Sequence, residues 1–271
     1  MTDLKNASIV QATFNRQIQR AATAFGDHEG INDARIIRWI LQFSNEDFQL
    51  AIKILDNITY YSTGNIRAMI RELLDIIHQK FEDIPQERIL FIPIGEPYEG
   101  SRIIARFLRD LLGRRQARRR IKHMLDLDRL TEGTYDAIVF LDDFSGTGSR
   151  LVRWWDMVEP LVRPKDVHFV VALLVLNHIA RPAIEDFSEV LCIDELNEED
   201  NVISEESRRF EDTEKTKIIH YCESTGCNPD YRLGYGNCGL LVAFKHQCPN
   251  NSLSILWHTN ESWEGLFRRS A

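Results

Sequence analysis

With 271 residues, 31.5 kDa, 44% hydrophobic and 27% charged side chains, the chain has an ordinary globular composition, which excludes collagenous, mucin-like and wholly disordered proteins. Its 33 basic and 41 acidic residues give a formal charge of −8 and a pI near 5.5, so no chain-wide positive field attracts phosphate backbones and any anion site has to be local. The longest apolar stretch, Val167 to Ile179, contains His168, Asn177 and His178 and falls short of the ~20 residues that span a bilayer; the polar start lacks a signal-peptide core, so a cytoplasmic chain with reduced cysteines is expected.

From Val10 to about Lys80 the apolar residues recur at three and four, as in Ile36, Ile37, Ile40, Leu41 and in Ile66, Met69, Ile70, Leu73, Leu74, Ile77. This is helical periodicity and predicts a helical lobe over 1–84. Ile89 to Ile94 then reads as a buried strand, ended by Pro93 and Gly95. After a loop over 96–101, Ile103, Ile104, Phe107, Leu108, Leu111 and Leu112 form one helical face, with Gly113 placed to cap it. The unit repeats as a strand over Ala137–Leu141, a loop over Asp142–Thr147 and a helix over Leu151–Leu161 stopped by Pro164. Val167–Leu176 is a third strand, and Glu189–Asp194 is a candidate fourth within an acid-rich, solvated stretch. Alternating strands and helices predict an α/β core over 85–195 with a parallel sheet that binds ligands at its carboxyl edge. Residues 196–271 are read as an acidic connection and a C-terminal hood, in which Leu240–Phe244, a turn at Pro249 and Leu253–Trp257 form a hairpin.

The segment Ile138 to Ser149 carries the chemistry. Two carboxylates, Asp142 and Asp143, follow a buried strand; Gly146 and Gly148, interleaved with Ser145, Thr147 and Ser149, then precede a helix. Glycines let successive N–H groups turn inward and the helix N-terminus adds partial positive charge, so Ser145, Gly146, Thr147, Gly148 and Ser149 suit a phosphate. A side chain at Gly148 would fill the space the anion needs. Carboxylates beside a phosphate make sense when they face sugar hydroxyls or a Mg²⁺ ion. The plain alternative is an Asx-rich turn that only caps the helix.

The segment resembles the signature of the phosphoribosyltransferases: an apolar strand, two acids, a short linker and Thr-Gly. More narrowly, PIGEPYEGS, LDDFSGTG and GNCGLLVAFKHQCPNNSLSILW look like the phosphoribosyltransferase-like proteins of bacterial conflict systems, including effectors encoded with antiphage retrons, over Arg88 to the end. The resemblance implies a type I phosphoribosyltransferase-like core with Asp142 and Asp143 as catalytic ribose carboxylates and Mg²⁺ holders, and Ser145 to Ser149 as the 5′-phosphate loop. Glu96, Pro97, Tyr98, Glu99, Gly100, Ser101 and Arg102 would form the pyrophosphate loop. The implied ligand is phosphoribosyl pyrophosphate or a nucleotide with Mg²⁺ as cofactor, the implied chemistry displacement at the ribose anomeric carbon, and the setting antiviral defence. The partners would be a reverse transcriptase with msDNA or another defence-system subunit. Three positions depart from the pattern: Gly146 stands where purine-salvage transferases carry an acid facing the base, Phe144 and Ser145 replace aliphatics, and Arg150 replaces a small hydroxyl residue. The acceptor is therefore not inherited from salvage enzymes.

Three further clusters carry open readings. The run Arg114, Arg115, Arg118, Arg119, Arg120, Lys122 either closes over a pyrophosphate, grips nucleic acid, chiefly through Arg118, Arg119 and Arg120, or is a solvated helix face. Cys222, Cys227, Cys238 and Cys248 with His220 and His246 are either buried thiols, which their irregular spacing favours, or a zinc site. Asn250, Asn251 and Trp257 either contact a base or belong to a turn and a core. Beside the transferase stand two rival functions, a non-catalytic nucleotide sensor and a structural subunit of a retron-like ribonucleoprotein.

Overall fold

The computed structural model describes residues 2–95, 101–131, 133–163 and 166–269, the side chains of 2–4, 101 and 102 excepted. Packing gathers the chain into two units, Met1–Thr63 with Glu198–Ala271, and Gly64–Asn197.

The first unit opens with α1 (Thr2–Ala24), bent where Phe14 leaves the helical region. Next, α2 (Asp33–Ile40) is started by the Asn32 side chain, which accepts the Arg35 N–H at 3.0 Å and so satisfies one of the amides a helix start leaves open. Helix α3 (Phe48–Asp56) and a three-residue strand, β1 (Thr59–Tyr61), follow. In the second unit, α4 (Thr63–Lys80) buries Ile66, Met69, Ile70, Leu73 and Ile77, the face its spacing predicts. The chain then alternates: β2 (Ile89–Pro93), α5 (Ser101–Arg120), β3 (Ala137–Ser145), α6 (Ser149–Val162), β4 (His168–Asn177), α7 (Arg181–Glu185) and β5 (Glu189–Leu196). Back in the first unit come α8 (Asp212–Ser224), α9 (Pro229–Arg232), β6 (Val242–Phe244) and α10 (Ser254–Trp257).

The second unit is the expected parallel α/β layer, with strand order β2-β3-β4-β5 and every pairing parallel. Every residue of β3 is buried, as is β4 from Val170 onward, which is why both read as unbroken apolar runs and not as alternating ones. Below α6, Phe140 meets Trp154 edge-on at 4.8 Å, while Trp155 stacks on Phe187 at 5.0 Å.

Four expectations change. Strand β3 does not end at Leu141 but continues through both aspartates to Ser145, because β4 keeps pairing beside it from Asp142↔Leu173 to Ser145↔Leu176. Gly113 does end a helical run, with φ +72° and ψ 156°, yet the chain resumes helical form beyond it. The C-terminal hairpin does not form: β6 pairs in parallel with β1, Thr59↔Val242 to Tyr61↔Phe244, and Ser254–Trp257 is one helical turn. The division at 1–84, 85–195 and 196–271 is redrawn by burial, since α4 belongs with the sheet and the tail belongs with α1–α3. Ile36, Ile40, Ile52 and Leu55 share one core with Leu241, Ala243, Ile255 and Phe267. Polar contacts tie the same segments, Trp39 Nε1 donating to Ile255 O at 2.8 Å and Arg35 Nη2 to Gly265 O at 2.7 Å.

Candidate functional site

In a strand, side chains alternate, so Asp142 falls on the face of Ile138 and Phe140, the face covered by α6. Its residue is 0% exposed. One carboxylate oxygen accepts the Asp143 N–H at 3.0 Å, and the other is ion-paired with Arg150 in the first turn of α6. Burial pushes the Asp142 carboxyl well above the ordinary carboxylate range, Arg150 pulls it back, and the neighbouring Asp143 pushes it up again; burial prevails. Asp143 is buried too, at 2%.

The chain then turns through Gly146 and Thr147 to Gly148, the N-cap of α6, at φ +77°. A Cβ at Gly148 would stand 3.2 Å from both Ala180 O and Ala183 Cβ, so glycine serves the left-handed backbone and the close passage of the segment leading into α7. The N-cap, being glycine, has no side chain with which to cap the start of α6. The part-exposed hydroxyls of Thr147 and Ser149 lie 3.0 Å apart at this end, while Ser145 is buried. A helix start without a side-chain cap presents N–H groups and partial positive charge, and two hydroxyls beside it add donors for an anion.

Sequence reasoning passed over Asn177, taking it only as a break in an apolar run. It ends β4, one residue beyond the Leu176 that pairs with Ser145. It is 1% exposed, and its side-chain NH₂ has no hydrogen-bond partner among the described residues. A polar residue closing the carboxyl end of a buried strand is the signal that marks it.

The other expected residues fall as follows. Glu96, Pro97, Tyr98, Glu99 and Gly100 lie outside the described residues, and Ser101 and Arg102 open α5. Arg118 and Arg119 are exposed near the end of α5, but Arg120 is not a nucleic-acid contact. It is 2% exposed, donates from Nε to Ile89 O at 3.2 Å and sits 5.0 Å over the Phe91 ring. Asn251 is also consumed internally: its buried side-chain amide donates to Tyr235 O at 2.8 Å, which closes a turn instead of reading a base. Asn250 supplies that turn with its carbonyl, which accepts the Tyr235 N–H at 2.7 Å. Trp257 donates to Ser252 O at 2.9 Å and lies against Arg269. These three belong to the first unit, whereas Asp142 to Ser149 belong to the second. Cys222, Cys227, Cys238 and Cys248 are buried free thiols, and burial pushes Cys222 and Cys248 up to about 12. Among the described residues no three His, Cys, Asp or Glu side chains gather as a metal site. Asp142 and Asp143 do not fit a Mg²⁺ chelate as they stand, because both oxygens of Asp142 are engaged by Asp143 N–H and Arg150.

The central strand of the parallel sheet thus delivers two acids into a glycine turn and a helix start. A family model, PRTase-CE, matches residues 36–269. The chain belongs to the PRTase-CE family. Its second unit is a phosphoribosyltransferase-like α/β core, and the PRTase-CE match also takes in the later part of α2 and all of α3, which lie outside the resemblance read from the sequence. Among solved structures the chain is similar to the Helicobacter pylori xanthine-guanine-hypoxanthine phosphoribosyltransferase, at 13% identity over 51% of this chain and 83% of that one, with a TM-score of 0.35. It is similar also to the Mycobacterium tuberculosis orotate phosphoribosyltransferase in complex with inorganic phosphate, at 18% identity, 49% and 71% coverage and a TM-score of 0.30. The Leishmania tarentolae HGPRT-ase in complex with GMP matches at 12% identity, 51% and 80% coverage and a TM-score of 0.33. No curated protein matches the chain. No helix among the described residues is long and apolar enough to cross a membrane.

Proposed function

We propose that the end of β3 and the start of α6 bind the ribose 5-phosphate portion of phosphoribosyl pyrophosphate or a nucleotide, and that the protein acts at the ribose anomeric carbon. The observation that carries this reading is the continuous path from two buried carboxylates into a helix start with no side-chain cap and two part-exposed hydroxyls. Thr147, Ser149 and the first amides of α6 hold the 5′-phosphate. Asp143, and Asp142 once it has given up its proton and its Arg150 contact, receive the ribose hydroxyls, fixing the ring, and their field favours the cationic character that develops at the anomeric carbon as an acceptor's bond to it forms and its bond to the leaving group breaks. Mg²⁺ would have to enter on oxygens of the ligand, and no step is assigned to it. The resemblance supports an antiviral setting in the cytoplasm, with a reverse transcriptase and msDNA or another defence subunit as partner.

A second reading, a nucleotide sensor without turnover, is favoured by one contact. Arg150 stands where a small hydroxyl residue is frequent and occupies the carboxylate that a transferase offers to ribose. Calorimetry with phosphoribosyl pyrophosphate and with a nucleoside monophosphate, each with and without Mg²⁺, together with a pyrophosphate-release assay, separates the two. Saturable binding lost in Thr147→Val with Ser149→Ala, accompanied by release, supports the transferase. Binding without release supports the sensor. Binding that survives both that variant and Asp142→Asn with Asp143→Asn places the ligand elsewhere and overturns both readings.

A further inference from the structure

Beyond Gly113, α5 presents Arg114, Arg115, Arg118 and Arg119, and with Lys122 and Tyr135 these line an open basin of roughly 710 Å³. Four of the five cations are arginines, whose planar fork matches phosphate oxygens two at a time. Among the described residues, none of the five is paired with a carboxylate. Arg114 and Arg118, and Arg115 and Arg119, stand four residues apart, where like charges on a helix repel. The protein carries a net charge of −8, yet among the described residues no carboxylate pairs with this cluster.

The basin's place in the fold removes one of the three readings the sequence leaves open, closure over a pyrophosphate. Tyr135 precedes the start of β3 by two residues, and Lys122 N–H donates to Phe91 O within β2 at 3.0 Å. The basin therefore lies toward the amino end of the sheet. The Asp142–Ser149 segment is at the other end of β3, which at about 3.3 Å per residue is roughly 26–30 Å long. The arginine run cannot be the flap over that loop. It is a separate anion surface.

We propose that this basin binds single-stranded nucleic acid. The helical part of the basic stripe, Arg114 to Arg119, spans about 7 Å at about 1.5 Å rise per residue, and Lys122 extends it beyond the end of α5, which is long enough for successive phosphates of one strand. Tyr135 supplies what a plain polyanion has no use for, an aromatic ring among the cations on which a base stacks. Its hydroxyl donates to Arg119 O at 2.7 Å, which ties the ring to the helix that carries the charges. A membrane surface is flat and is bound by an apolar face as well as charge, which a concave, arginine-lined basin does not offer.

The test uses the full chain and labelled oligothymidylate and oligouridylate of about 20 nucleotides, a length that covers the ~4–16 nucleotides such sites occupy. Affinity is measured by anisotropy against salt. Arg115→Gln, Arg118→Gln and Arg119→Gln combined are expected to weaken binding at least tenfold and to lower the salt slope by about 2, since each single-strand phosphate contact contributes about 0.7. Tyr135→Leu, which keeps an apolar side chain against the core, is expected to weaken binding by roughly 5- to 100-fold with the slope unchanged. The triple Arg→Lys variant keeps the charge and is expected to keep the slope, which separates lost charge from lost folding. Wild-type protein that leaves both oligomers unbound at low salt, or variants with unaltered affinity and slope, overturn the proposal. Competition by tripolyphosphate, polyglutamate or anionic vesicles at equal phosphate or carboxylate concentration overturns it as well, in favour of a small anion, an acidic peptide or a membrane respectively.

Discussion

Asp142 and His28 are buried ionisable groups whose fully bonded settings make stability depend on pH in opposite directions. The carboxyl of Asp142 is raised by burial, so the native state holds a proton that the unfolded chain has already released. Above about pH 4 this costs stability, increasingly until the native group also ionises. Asp142→Asn removes the effect: the melting temperature of the variant minus that of wild type is expected to rise with pH from about 4 upward. A difference independent of pH would contradict it. The imidazole of His28 is 3% exposed, its Nδ1–H donating to Phe244 O at 3.1 Å while Nε2 accepts the Arg268 N–H at 3.0 Å. Burial lowers its pKa, with Lys245 and Arg35 adding to the effect against the Phe244 bond and Asp27. Here the unfolded chain binds the proton first, so stability present above about pH 6.5 is lost as pH falls through and below that value. In His28→Gln the deficit relative to wild type is expected to shrink between pH 7.5 and 5.5, as followed by thermal melts.

At the scale of elements, the junction of β3, α6 and α7 turns on Gly148. A Cβ there meets Ala180 O and Ala183 Cβ at 3.2 Å, and a non-glycine residue at φ +77° costs a further ~1–2 kcal/mol. Gly148→Ala is expected to lower the melting temperature by about 2–8 °C, with Ser149→Ala close to wild type. Equal melts for the two would remove the packing role. The sequence reading assigned the clearance at Gly148 to an anion, whereas the fold gives it first to two alanines. This is the pattern across the site. Strands β2 to β4 and the acidic turn were legible because a buried parallel strand has to be apolar along its length, whereas the half-buried edge strand β5 carries acids and gave a weaker signal, and glycine with hydroxyls before a helix has few uses. Arg120 and Asn251 were misread because burial of a polar residue depends on partners far away or across a turn, the Phe91 ring and Tyr235 O, which no periodicity encodes. The parallel pairing of β1 with β6 joins three-residue segments about 180 positions apart, too short and too distant to leave a local signature.

At the scale of the whole molecule, the phosphoribosyltransferase-like unit is set into the first unit as an insertion, leaving after Thr63 and returning at Glu198. Ile36, Ile40, Ile52 and Leu55 need Leu241, Ala243, Ile255 and Phe267 to close their core. A ribosome makes these partners in the wrong order. At about 5–20 residues per second, roughly 10–40 s separate the emergence of residue 63 from that of the last residues of the tail. During that interval α1–α3 have one another but not the tail that completes their core, while Gly64–Asn197 comes to have all its strands and is free to fold. Nascent chains stalled once Asn197 has cleared the ribosomal exit tunnel, but before Leu241–Phe267 has, are therefore expected to be cut readily within 1–63 by a brief protease pulse and protected within 64–197, with protection reaching 1–63 only after Leu241–Phe267 has emerged. The insertion thus makes a segment synthesised before the phosphoribosyltransferase-like unit the later of the two to be secured.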